Sequence, residues 1–194
     1  KKINISVDTR NSLTMQFALD NGVKIINDVS ALNHDTNSIN IIKKFKCIVV
    51  LMHMQGTPET MQKKPRYNFA PKDIYNFFKK KILACEREGL KRNRIIVDPG
   101  IGFGKTSKHN VQILRNLKIF NKLRCNVLIG LSRKRFISDL SNKEKPIDRI
   151  AGTIAANQHA LEQGVDIIRV HDVKEAMQAK LVWEKLYNKN SINR

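Results

Sequence analysis

The chain has 194 residues, 41% of them hydrophobic and 27% charged, with 36 lysines and arginines against 17 acids for a formal net charge of +19. This is enough apolar material for one sizeable core. No run approaches the ~18 apolar residues that cross a membrane, and Lys1-Lys2-Ile3-Asn4 is not followed by the apolar segment and cleavage site of a signal peptide.

Cys47, Cys85 and Cys125 are odd in number and far apart. They fit neither a disulfide framework nor zinc-ligand spacing, and a reducing cytoplasm suits them best. The lysines are spread along the chain and aromatics are only 6%. The charge therefore reads as a solvated basic surface, with some steering of an anionic substrate. A nucleic-acid module is the competing explanation, and it has little aromatic material for stacking. The chain opens without methionine on what reads as a strand, which suggests that upstream sequence is missing.

In chain order, β-branched runs alternate with longer helical patterns. Strands are predicted at residues 3–8, 24–28, 47–52, 94–98, 126–130 and 166–170. They are continuous apolar runs rather than alternating ones, as expected of parallel strands covered on both faces. Helices are predicted at residues 12–21, closed by Gly22, and at residues 73–88, closed by Gly89 with Pro71 just before the start. One helical face runs through Val111, Leu114, Leu117, Ile119 and Phe120, and two more helices are expected at residues 147–163 and 173–187. The polar residues 188–194 form a tail expected to fray. Six βα units in one domain over residues 1–187 imply a parallel sheet with right-handed crossovers. Both a doubly wound sheet and a TIM barrel fit, although no Gly-rich dinucleotide fingerprint follows the first strand.

Polar residues crowd the strand ends: Asp8, Asn27 with Asp28, Met52 with His53, Asp98, Ser132-Arg133-Lys134, and Arg169 with His171. In a barrel such ends share one mouth, where active sites sit. The run Asp98-Pro99-Gly100-Ile101-Gly102-Phe103-Gly104-Lys105 is not a phosphate-binding P-loop, which needs four residues between its first glycine and Gly-Lys. It reads as a glycine turn that presents Asp98. Gly130-Leu131-Ser132-Arg133-Lys134-Arg135 sets three cations at a helix start, a place that normally repels them, so an anion is expected there. Arg169 and His171 are two apart, on one side of a strand end, and suggest another anion contact. Met52 and Met54 read as packing residues. His34, His53 and His171 lack metal-ligand spacing.

Together these motifs, with Ser6-Val7-Asp8-Thr9, Ile26-Asn27-Asp28-Val29-Ser30, Leu51-Met52-His53-Met54-Gln55-Gly56-Thr57-Pro58 and Arg169-Val170-His171-Asp172, resemble the dihydropteroate synthases, a target of sulfonamides. The resemblance implies an α/β (β/α)8 TIM barrel with only about six βα units, the third to eighth, in this chain. It implies a transferase of folate biosynthesis. That enzyme joins 6-hydroxymethyl-7,8-dihydropterin pyrophosphate to 4-aminobenzoate, giving 7,8-dihydropteroate and pyrophosphate.

By the same resemblance Asp8, Asn27, Val29, Met52, Asp98, Phe103, Gly130 and Lys134 hold the pterin. Ser132, Arg135, Arg169 and His171 meet the pyrophosphate and aminobenzoate, and Lys134, Arg169 and His171 are the catalytic candidates. Mg2+ is the implied cofactor, with its ligand outside this segment. The implied partners are the two small substrates and a second copy in a homodimer, with neither nucleic acid nor membrane. The alternatives are a pterin-dependent methyltransferase on the same barrel, or a truncated relative that is inactive and poorly soluble by itself.

Overall fold

The computed structural model describes residues 3–187, so the expected tail at residues 188–194 lies outside the described residues. The strands are β1 (Ser6–Asp8), β2 (Ile25–Asp28), β3 (Ile48–Met52), β4 (Ile95–Asp98), β5 (Asn126–Gly130) and β6 (Ile167–Arg169). The helices are α1 (Ser12–Asp20), α2 (Ser38–Phe45), α3 (Ala70–Arg87), α4 (Ser107–Leu114), α5 (Lys118–Asn121), α6 (Arg135–Leu140), α7 (Ile150–Glu162) and α8 (Val173–Tyr187). All neighbouring strands pair in parallel, in the order β1-β2-β3-β4-β5-β6. This sequential order has no point of reversal and rules out the doubly wound alternative.

The sheet is curled. Laid flat, six strands would hold the outer two about 24 Å apart at the usual spacing. Yet Asp8 at the end of β1 and Arg169 at the end of β6 form an ion pair at 2.9 Å. The strand ends therefore lie around an open, partial barrel.

The middle of the sheet is its most buried part. Every residue of β4 is buried, whereas β1 and β6 are half-exposed or exposed. Helix α3 covers the centre with Ile74, Phe78, Ile82 and Cys85, whose spacing of four, four and three keeps them on one face. Its start is fixed by Asp73 Oδ2, which accepts from the backbone N–H groups of Asn68 and Phe69. Pro71 therefore lies inside the first turn, where a missing N–H costs nothing. Phe78 is fully buried, edge-on to Phe77 and Phe120.

Other bounds move for local reasons. The face predicted through residues 111–120 splits into α4 and α5. The helix predicted from residue 147 begins at Ile150, behind a 3-10 turn that opens on Pro146. Residues 3–5 stay outside β1. Helix α2 was not anticipated; its Ile41 and Ile42 are buried, and Lys46, in the left-handed region, ends it. Phe78→Ala is expected to destabilise the fold by about 3–5 kcal/mol through the cavity it leaves, measured by urea unfolding.

Candidate active site

The site is built around Asp98, the last residue of β4, which is 2% exposed. Its Oδ1 accepts from the Gly100 N–H at 2.8 Å, which leaves Oδ2 for a ligand. Burial raises its pKa; the nearby charges of Lys134, Arg169 and Lys105 pull the other way, as does the Gly100 bond. The three residues on which the anion reading depends, Asp98, Lys134 and Arg169, thus share one locality.

Asp98 is followed by residues 99–104, a buried loop whose peptide groups are tied down by side chains from several elements. Asn110 Oδ1 accepts from Gly102 N–H, Gln62 donates to the Gly102 carbonyl and the Tyr67 hydroxyl donates to the Gly104 carbonyl, at 3.0, 2.9 and 2.8 Å. Lys134 donates to the Ile101 carbonyl. Two glycines are required. Gly100 and Gly104 have positive φ, and a Cβ would strike the His53 carbonyl at the first and the Gln55 backbone at the second. The loop therefore lies flush on the segment after β3.

Lys105 bolts these two segments together. Its Nζ donates to the carbonyls of Phe103 and His53, at 2.8 and 3.1 Å, and lies 3.0 Å from His53 Nδ1. Burial, helped by Lys105, lowers the His53 pKa to about 3. The ring is therefore neutral at ordinary pH, and its Nδ1 can accept from the ammonium. Burial also lowers Lys105 to about 7, against the pull of Asp98. The sequence reading gave neither residue a role. The hints were His53 among the polar strand ends and a lysine directly after a glycine turn.

Lys134, the N-cap of α6, reaches inward. Its Nζ lies 5.0 Å from the centre of the Phe103 ring, and burial lowers its pKa to about 8, against the attraction of Asp98. Its neighbours go elsewhere, so the expected cluster of three cations does not exist. Arg133, with φ at 58°, turns back to pair with Asp172. Arg135 is 89% exposed and faces Asp139 of its own helix at 3.5 Å. One backbone turn sends successive side chains in different directions.

His171 lies beyond the end of β6, so strand alternation does not govern it. The Ser132 hydroxyl holds it, 3.0 Å from Nδ1 and accepting its backbone N–H at 3.2 Å, and Nε2 is left for a ligand. Arg169 lies over Gly130, where a Cβ would meet Nε at 3.5 Å. Asn27 is 4% exposed and its buried Oδ1 has no hydrogen-bond partner, an acceptor a ligand N–H would satisfy. Asp28 instead serves its own turn, accepting from the Ser30 hydroxyl and from the N–H groups of Ser30 and Leu32.

Two cavities flank the centre. One of about 630 Å³ is lined by Phe103, Lys105, Lys134 and Arg135, and a smaller one of about 210 Å³ by Val29, Met52, Met54 and Phe77. A third, mainly apolar, lies between α7, β6 and α8, with Arg169 among its lining residues.

Because the folded pKa of Lys105 is below its unfolded value, the unfolded chain binds more protons between pH 7 and about 10.5. The contribution of Lys105 to stability therefore rises with pH across that window. The melting temperature of the wild type relative to Lys105→Met is expected to be higher at pH 9.5 than at pH 7. Equal differences at the two pH values would refute the lowered pKa of Lys105.

A family model described as pterin binding enzyme matches residues 1–171. The dihydropteroate synthase of Neisseria meningitidis serogroup B is 38% identical over 186 residues, 94% of this chain and 65% of that protein. The chain thus spans less than two thirds of that relative's length. Among solved structures, the dihydropteroate synthase of Xanthomonas albilineans in complex with 7,8-dihydropteroate superposes with a TM-score of 0.88 at 36% identity, over 95% of this chain and 67% of that one. The Yersinia pestis enzyme in complex with a sulfonamide drug superposes with a TM-score of 0.92 at 36% identity, over 97% and 68%. The chain belongs to the pterin-binding enzyme family, and its relatives there are dihydropteroate synthases.

Proposed function

We propose that this chain carries the pterin side of a dihydropteroate synthase site, its six strands being the third to eighth of a (β/α)8 barrel. The observation that carries the proposal is a buried carboxylate, Asp98, ringed by Lys134, Lys105 and Arg169, with the orphaned acceptor of Asn27 at a neighbouring strand end. The relative in complex with 7,8-dihydropteroate supports the same chemistry.

A 2-amino-4-oxo pterin presents adjacent N–H donors, and Asp98 Oδ2 and Asn27 Oδ1 supply acceptors for them; a charged acceptor strengthens such bonds. Asp8 reads a further N–H of the ring edge. Lys134 donates to ring acceptors, Phe103 contacts the ring from the larger cavity, Val29 and Met52 contact it from the smaller one, and Gly130 leaves room beneath Arg169. The arylamine nitrogen of 4-aminobenzoate attacks the exocyclic methylene carbon of the dihydropterin. The carbon–oxygen bond to the diphosphate breaks, its electron pair leaves with pyrophosphate, and the new ammonium loses a proton. Arg169 and His171, the latter held by Ser132, stabilise the charge growing on the leaving group. Arg135, on the rim of the larger cavity, meets the aminobenzoate carboxylate.

Among the described residues no three His, Cys, Asp or Glu side chains gather to hold a metal ion. The resemblance places the Mg2+ ligand outside this segment, and no step is assigned to the ion. A homodimer belongs to the same reading, supported by exposed Leu181, Val182 and Leu186 on α8. So does a cytoplasmic setting, supported by three free cysteines. No helix among the described residues is long and apolar enough to cross a membrane.

The test is calorimetric titration with 6-hydroxymethylpterin. Asp98→Asn is expected to weaken binding by about 2–5 kcal/mol, the cost of breaking a buried charge-assisted contact. Unchanged affinity would remove Asp98 from the pterin clamp. Lys134 is a cation below about pH 8 and neutral above it, so wild-type pterin affinity is expected to fall as pH rises through that value. The ring N–H of the pterin ionises in the same alkaline range, so the fall is expected to be smaller in Lys134→Ala than in the wild type; a fall of equal size in the variant counts against the assignment.

A further inference from the structure

Asp8 and Arg169 come from the first and last strands of the sheet, 161 positions apart, and are joined by Arg169 Nη1 donating to Asp8 Oδ2 at 2.9 Å. Both side chains are about half-exposed, at 56% and 42%. A guanidinium presents its donors in a rigid fork that suits carboxylates and phosphates alike, so the two compete for the same edge. Arg169 is also close enough to Lys134 to disfavour its charge. Asp98 offsets part of this crowding from the buried side, and Asp8 offsets it from the exposed side through its ion pair with Arg169.

We propose that Asp8 is a positioning residue for Arg169: its carboxylate occupies the guanidinium as a stand-in for phosphate, and a pterin that draws Asp8 onto its ring N–H groups releases Arg169 for the diphosphate. This inference rests on the pterin reading above and deepens it. Head and tail of the substrate are then recognised cooperatively, by exchange of partners and without movement of the sheet. The coupling is reciprocal, each ligand tightening the other by the same factor. A half-exposed ion pair sets its size at about two- to five-fold.

Simple repulsion between Asp8 and the anion makes a different forecast. A neutral pterin leaves the Asp8 charge in place, so repulsion alone yields no coupling. The experiment is calorimetric titration with inorganic pyrophosphate, with and without saturating 6-hydroxymethylpterin, on the wild type, Asp8→Asn and Asp8→Glu. In the wild type, the pterin is expected to tighten pyrophosphate two- to five-fold. Asp8→Asn, although it removes a contact from the site, should bind pyrophosphate without pterin as tightly as the wild type does with it, and gain nothing further from the pterin. Asp8→Glu keeps the carboxylate and should follow the wild type.

The inference is overturned if Asp8→Asn shows no gain in pyrophosphate affinity, if its pterin-driven gain equals that of the wild type, or if Asp8→Glu gains as much as Asp8→Asn. A wild type that binds no pterin would instead sink the functional reading. The pyrophosphate titrations without pterin would still decide whether Asp8 occupies Arg169.

Discussion

A carboxylate removed from water at the centre of a parallel sheet is the constraint from which the rest of the site follows. Asp98 is buried at the end of the most buried strand, where an isolated anion would be far too costly to keep charged. It is accommodated because Lys134, Arg169 and Lys105 reach it from three other points of the fold, and because the next turn returns a backbone N–H to it. The cations are perturbed in their turn, Lys134 to about 8 and Lys105 to about 7. Carboxylate and ammonium groups so arranged can meet a polar heterocycle with little reorganisation, which is the advantage of electrostatics fixed in advance.

Rigidity is unevenly distributed around this centre. The loop after Asp98 has its carbonyls from Ile101 to Gly104 engaged by Lys134, Gln62, Lys105 and Tyr67, and its glycines lie against the chain after β3. That side is a fixed wall. The opposite side, made by the ends of β1 and β6, is held by a half-exposed ion pair, an interaction easily exchanged for a ligand. The fixed wall suits a flat ring and the exchangeable pair suits a departing anion.

The large positive charge of the chain contributes less to this chemistry than its size suggests. Of the three cations in the Ser132-to-Arg135 run, only Lys134 is buried in the site, while Arg135 stands on the rim of the larger cavity. Arg133 is neutralised by Asp172, and Arg135 lies in solvent beside Asp139. Most lysines and arginines among the described residues lie on the outer surface. Their effect on an anionic substrate is long-range attraction, which salt screens.

The sequence by itself determined the strands to within a few residues, because fully buried parallel strands need unbroken apolar runs, and it marked the polar strand ends and the glycine turn after Asp98. It did not yield α2, which has only eight residues and so offers little more than two turns in which a helical period can show. Nor did it yield the break between α4 and α5. Between a doubly wound sheet and a barrel the βα count was silent, since both use the same local units; the motif resemblance pointed to the barrel, and the sequential strand order excluded the doubly wound sheet. The tertiary structure alone decided which charges meet. Lys105 and His53 are 52 positions apart and Asp8 and Arg169 are 161 apart, and no periodicity in the chain encodes such distances. Successive residues of one turn, Arg133, Lys134 and Arg135, point to three different partners, because side-chain direction is set by backbone dihedral angles and by what each side chain finds to pack against.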